Sequence, residues 1–198
     1  ISGFDDIVKA RPGVESLVLV SNLLSVVDGF VMLMSADFSN GLPFSLISSW
    51  SLFFAIWARK SYYMAMCDSI KSSLASTSPF GVISEDRSIQ DRAVLKKIQG
   101  ATKGFYSRLI EADFGEVVYN RAAPLFIVIS IVFGVITSVA RGRSGDVAHT
   151  MSIMATVSAA FPAAMAFALP FRYASVRAKR SGSAIAGWGG ASDIYYAD

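Results

Sequence analysis

Cysteine and histidine are nearly missing from this chain. Cys67 is the only cysteine and His149 the only histidine in 198 residues, which excludes a disulfide framework, a cysteine-rich metal site and a histidine cluster. Charge is scarce too: 17% of the residues are Asp, Glu, Lys or Arg, against about 25% in an ordinary soluble domain. No basic start followed by a short apolar core and a cleavage site is visible, so no signal peptide is expected. Apolar residues fill the space. They make up 53% of the chain, raise the mean hydropathy to +0.48, and cluster so as to leave a polar middle. That pattern points to an integral membrane protein whose first partner is the lipid bilayer. The chain opens on Ile1 and stops at Asp198 in mid-pattern, so it reads as a piece of something longer.

Four stretches approach the ~20 apolar residues that cross a ~30 Å hydrocarbon core: 17–34, 43–58, 123–140 and 147–171. Short polar connections, "SADFSNG" and "RGRSGDVAHT", close the two pairs. The expected fold class is all-α, a polytopic membrane protein of two transmembrane helical hairpins. Its parts read as an N-terminal segment (1–16), hairpin 1 (17–58), a mainly helical segment (59–122), hairpin 2 (123–171) and a tail (172–198). Ten of the eighteen Lys and Arg lie between 59 and 121, four more (Arg172, Arg177, Lys179, Arg180) lie in the tail, and only Arg141 and Arg143 lie at the hairpin tips. Positive charge stays cytoplasmic, so the middle segment and both ends are expected inside, in a multi-pass protein of the cell membrane. This bias accounts for the pI near 9.1, and no nucleic-acid partner is expected. The second helix is expected to continue as a stalk to about residue 75 and to break at Ser78, Pro79 and Gly81. Beyond it, "EDRSIQDRAVLKKIQGATKGFYSRLIEA" reads as helical, with Ile89, Val94, Ile98, Phe105 and Leu109 loosely on one face. Gly100 and Gly104 weaken it.

The fourth stretch ends in "FPAAMAFALP", 161–170. Pro162 cannot donate to the carbonyl of Ser158, nor Pro170 to that of Ala166. In lipid such breaks persist where they face protein or a wet cavity, and transporters coordinate cations with unwound carbonyls of this kind. The plain alternative is a kinked helix. The stretch resembles, position for position, the Cys-Pro-Cys-Ala-Leu-Gly-Leu-Ala-Thr-Pro segment of the heavy-metal branch of the P-type ATPases. Both prolines, Ala164 and Ala168 match. The following "RYASVRAKRSGSAIAG" is similar to that family's basic stretch leading into Arg-Gly-Val-Leu-Ile-Lys-Gly-Gly, with Gly182 and Gly187 on the matching glycines. The order of hairpin, cytoplasmic segment and hairpin agrees as well.

The departures are specific. Phe161 and Ala163 replace the family's metal-binding cysteines, and Ala186 and Trp188 replace its Lys and second Gly. The middle segment is short for an actuator domain, and its only Gly-Glu is Gly115-Glu116, beside the third stretch. The resemblance implies a phosphorylated Asp beyond Asp198, with ATP and Mg2+ as cofactors if that domain follows. This chain itself holds no catalytic residue and no cofactor or metal site.

The ion-path candidates are Asp28, Thr156, Ser158, Pro162 and Pro170. Asp28 lies inside the first span, where an ionised carboxylate costs several kcal/mol unless paired or wet; its alternative is a place near the outer half, reaching water or pairing with Arg141 or Arg143. Thr156 and Ser158 lie beside the carbonyl that Pro162 frees, to line an ion site or to cap broken backbone. Met151, Met154 and Met165 are spaced as packing residues or soft-cation ligands. His149 reads as a hairpin-tip residue, Cys67 as an ordinary thiol on the stalk, and "GWGG" (187–190) as a flexible entry to a following domain. Ser144, Gly145 and Asp146 lack a triad context, and Trp57 is placed to anchor at the cytoplasmic interface. The resulting expectation is the membrane region of a P-type-ATPase-like transporter of a monovalent or divalent cation, in degenerate form. The alternatives are a non-catalytic membrane scaffold or regulator of that architecture, and a secondary-transporter subunit.

Overall fold

The computed structural model describes residues 2–9, 12–36, 44–77, 79–89, 92–99, 104–111, 114–142, 146–159 and 162–195. They are mostly helical. The elements are α1 (Ser2–Val8), α2 (Val14–Ser35), α3 (Ser45–Leu74), β1 (Phe80–Ile89), β2 (Arg92–Gln99), α4 (Phe105–Ile110), α5 (Phe114–Ala140), α6 (Val147–Ser158), α7 (Pro162–Arg180) and α8 (Gly187–Tyr195). The chain divides into two packed units, one of Ile1–Trp57 with Phe114–Ala166, the other of Ala58–Asp113 with Phe167–Asp198.

Two helices, among the described residues, are long and apolar enough to cross a membrane: Val14–Ser35 and the Val117–Ala140 part of α5. The other two apolar stretches differ for visible reasons. The second is diluted by Ser45, Ser48, Ser49 and Ser51 and runs on without a break into the stalk, as one 30-residue helix. The fourth is divided. α6 ends at Ser158 and α7 opens at Pro162, where a proline at the first helical position costs nothing because its missing N–H has no partner there anyway. α6 is 12 residues long, so it measures about 18 Å. Pro170 does not break the chain: α7 carries it inside and continues to Arg180.

In the first unit the packing pattern is inverted. Beside Leu17, Val18 and Met32, most of the buried side chains are small or hydroxylic, among them Ser21, Ser25, Ser51, Ala123, Ser130, Ser152, Ala155 and Ala159, while Leu23, Val26, Phe30, Leu46, Phe53, Leu125, Val132 and Ile136 are exposed. Small contact residues let backbones approach. A Cβ on Gly134 of α5 would sit 2.3 Å from Met151 Cγ of α6. Ser130 and Ser138, one turn to either side of Gly134, are also buried, a spacing of small residues at every fourth position that suits close helix contact. At the other end Ser16 Oγ accepts from Gly13 N–H at 3.3 Å and donates to the Gly3 carbonyl at 2.9 Å, tying α1 to the start of α2.

The second unit is built around Ala65, Leu109, Phe171 and Ile185, with Tyr62, Phe105 and Trp188 packed on them. α7 ends in a Schellman motif: Gly182 has φ +71, Gly182 N–H donates to the Lys179 carbonyl at 3.1 Å and Ser183 N–H to that of Ala178 at 2.9 Å. Gly187, also at φ +71, leaves no room for a Cβ, which would lie 2.3 Å from the Arg108 carbonyl oxygen. The two glycines that carried the family resemblance thus have local backbone reasons in this chain. The segment "GWGG" opens α8 and puts Trp188 against the core, which corrects its reading as a flexible entry.

The middle segment needs the larger correction. β1 and β2 form an antiparallel hairpin, with Phe80 opposite Gln99, Val82 opposite Lys97 and Ile89 opposite Arg92, and an irregularity between Glu85 and Ile89. Among the described residues of the stretch expected to be helical, 85–112, only Phe105–Ile110 are. Lys, Gln and Arg there favour helix mildly, but Val82, Ile83, Ile89, Val94 and Ile98 favour a strand, and the pairing needs only a short connection. Lys97 lays its ammonium 4.3 Å from the centre of the Phe80 ring, a cross-strand contact. Ser78 and Gly100 lie outside the described residues.

Candidate functional site: a polar seam between two helices

On α2, Ser21, Ser25, Asp28 and Met32 are buried at spacings of four, three and four, so they share one face. On α6, His149, Ser152 and Thr156 do the same. The two faces meet antiparallel. His149 Nδ1 lies 3.0 Å from Asp28 Oδ2, and Ser152 Oγ donates to Ser25 Oγ at 3.2 Å. Asp28 is 1% exposed and His149 9%. The Phe44 ring stands edge-on to the imidazole, with centroids 6.2 Å apart. Ser21 Oγ and Asn22 Nδ2 both donate to the Val18 carbonyl, at 2.9 and 2.8 Å, so this end of the seam is internally satisfied. Thr156 Oγ1 is not: it is buried with no hydrogen-bond partner among the described residues.

Asp28 therefore sits inside the first span as expected, but its partner is His149 rather than an arginine. Arg141 is exposed and Arg143 lies outside the described residues. His149, expected at a hairpin tip, is buried against α2 because its face of α6 carries the other small polar groups. Thr156 lies seven residues further along α6, about 10 Å down the axis. Ser158 is half-buried, and the carbonyl that Pro162 leaves without an N–H donor accepts a hydrogen bond from the Tyr119 hydroxyl of α5. Pro170 belongs to the other unit and is exposed. Phe161, Ser144 and Gly145 lie outside the described residues, and Gly115-Glu116 falls in the first turn of α5.

Reasoning from sequence missed His149, Ser25, Ser152 and Tyr119. A signal for the first three was present: one ionisable residue in each of two apolar helices, each flanked at helical spacing by hydroxyls. Tyr119 carries no such mark, since its role depends on which carbonyl it meets. The seam offers an acid–imidazole pair and hydroxyls, which hold and pass protons or line a path. No group of three or more His, Cys, Asp or Glu able to hold a metal ion occurs among the described residues.

The second unit has a polar cluster of another kind. Asp68 of α3 pairs with Arg172 and, at 2.7 Å, with Lys179 of α7. The Lys179 hydrogen bond and then Arg172 hold its carboxyl below the usual carboxylate range, against burial, which raises it. Ser175 donates to the Ala65 carbonyl at 2.8 Å and lies 3.3 Å from Ser69. The rings of Tyr62 and Phe171 pack with centroids 5.4 Å apart, and one turn on Ala65 and Ser69 meet Ser175, so these segments of α3 and α7 run parallel.

No protein-family model matches this chain, and neither a curated protein nor a solved structure does.

Proposed function

We propose that the chain is the multi-pass membrane part of a cation transporter with the layout of the P-type ATPases, reduced between its two hairpins. The ion's route runs along the α2–α6 seam. The observation that carries this reading is Asp28, a carboxylate 1% exposed on a helix whose other faces present large apolar side chains. In lipid an ionisable group of this kind faces a bundle interior or a water path and marks function. Helix directions within the first unit support crossings by α2, α5 and α6: α5 runs with α2, since Val14 N–H bonds Asn120 Oδ1 and Leu17 packs with Ala123, and α6 runs against both. The break before Pro162 supplies the discontinuous helix on which transporters build midplane sites. ATP and Mg2+ enter only through a following phosphorylation domain.

A second reading, a non-pumping scaffold of the same architecture, draws on two observations. Tyr119 occupies the carbonyl that the break frees, and a two-stranded hairpin stands where a full actuator domain belongs. Ion flux through the full-length gene product in proteoliposomes decides between them. The transport reading expects flux that drops at least about tenfold in Asp28→Asn at equal protein level. Flux indifferent to that substitution removes the seam from the route, and no flux with any cation favours the scaffold. Asp-Lys-Thr-Gly-Thr encoded shortly past codon 198 supports ATP drive.

A further inference from the structure

We infer that Asp28 and His149 form a proton-binding site, so that the cation held on the α2–α6 seam is H+. Its role in transport rests on the reading above; its chemistry does not. An alkali or alkaline-earth ion asks for about six or more oxygen ligands. The seam offers one carboxylate already bonded to an imidazole, two hydroxyls already bonded to each other, Ser21 bonded to a backbone carbonyl, and the Thr156 hydroxyl two turns further along α6, too few oxygens at any one place. A proton needs a single lone pair. With Nδ1–H donating to the Asp28 carboxylate, His149 Nε2 is the free lone pair, and the pair carries a net charge of −1. Transfer of H+ from hydronium to Nε2 breaks one O–H bond, forms one N–H bond, releases water and leaves the pair with no net charge. Release reverses the step.

The surroundings fit a relay. His149, Ser152 and Thr156 follow one another down α6, Ser25 is hydrogen-bonded to the middle one, and the Thr156 hydroxyl, 6% exposed, is free to accept or donate. Other charges are few. The described titratable or charged groups on or beside the elements packed against the pair are Asp5 and Asp6 of α1, Lys9 just past α1, Glu15 of α2, Tyr119 and Arg121 of α5, Arg141 just past α5, and Asp146 at the head of α6. Glu15, thirteen residues before Asp28, is about 20 Å away along the helix. Tyr119 belongs to that far end, bonded at Ser158. Arg141 is exposed. Asp146, 8% exposed, has contacts of its own. The segment of α3 in this unit, 45–57, carries no titratable group.

Because His149 is the only histidine, a single 15N-imidazole signal set reports it in the full chain. Acidification is expected to convert that set from the neutral to the doubly protonated pattern in one step. Asp28→Asn is expected to move the midpoint, and Asp68→Asn to leave it in place. If Asp28→Asn does not fold, Asp28→Glu keeps the carboxylate and is expected to move the midpoint by a smaller amount. An identical midpoint in wild type and the folded Asp28 variant overturns the site. So does a His149 signal that responds to Na+ or K+ at fixed pH. In proteoliposomes under an imposed potential, wild type is expected to acidify a trapped pH dye and Asp28→Asn to lose at least about tenfold in rate. A coupled titration with no flux in wild type upholds the proton site and counts against the transport reading.

Discussion

The two units solve the burial of polar groups in opposite ways. In the first, most of the interior is hydroxyls, alanines and one acid–imidazole pair, with Leu17, Val18 and Met32 the larger apolar side chains inside, and most of the other large apolar side chains point outward. In the second, Phe171, Leu109 and Ile185 are inside, and the charges form a clamp at the rim, with side-chain exposures of 13% for Asp68, 25% for Arg172 and 48% for Lys179. The difference follows from the solvent each unit is proposed to face. Lipid gives no reward for burying leucine, so helices there associate through small residues and hydrogen bonds. Water rewards a large apolar core and tolerates ion pairs at its edge.

The sharpest break in this comparison comes from removing one charge partner on each side. His149→Ala strands the Asp28 carboxylate without its imidazole and is expected to destabilise the first unit by about 3–5 kcal/mol. Lys179→Ala removes a half-exposed partner and, after solvent screening, is expected to cost about 1 kcal/mol or less. Thermal unfolding in detergent reads both, and equal costs contradict the contrast. Gly187→Ala and Gly134→Ala come next. The first puts a methyl 2.3 Å from a backbone oxygen at φ +71; the second meets the movable end of Met151, although Met151 N and Cα lie at 3.2 and 3.3 Å. The expected costs are about 3 kcal/mol and about 1–2 kcal/mol.

A smaller effect tests the helix break. Tyr119→Phe leaves the Ser158 carbonyl without its donor, at an expected cost of about 1–3 kcal/mol. Stability equal to wild type in Tyr119→Phe is the outcome that sinks the pairing. The smallest effect is on the clamp. Asp68 titrates lower when folded than unfolded, so its stabilisation is complete above its ordinary value of 3.8 and is lost as acidification passes through the lowered one. Asp68→Asn is expected to remove that acid-dependent part of the unfolding profile.

The helices were legible because apolar runs and their serine interruptions are local properties. Asp28 was legible because a carboxylate in an apolar run stands out. Its partner was not: antiparallel packing of α2 on α6 selects His149 over Arg141, and no local rule in either helix states that packing. The hairpin at β1 and β2 was misread because helix-favouring lysines and glutamines sit on β-branched strands, and pairing across the chain outweighs the single-residue preference. Pro162 and Pro170 look alike in sequence, yet one opens a helix and the other rides inside it.

The most direct test of the four-crossing account uses the only cysteine. Cys67 is exposed on α3, and Arg141, just past α5, is exposed as well. With a membrane-impermeant maleimide, Cys67 is expected to label only in inside-out vesicles, and Arg141→Cys in a Cys67→Ser background only in right-side-out ones. Labelling of both positions from the same face would contradict the crossing of α5 and with it the seam as a route through the membrane.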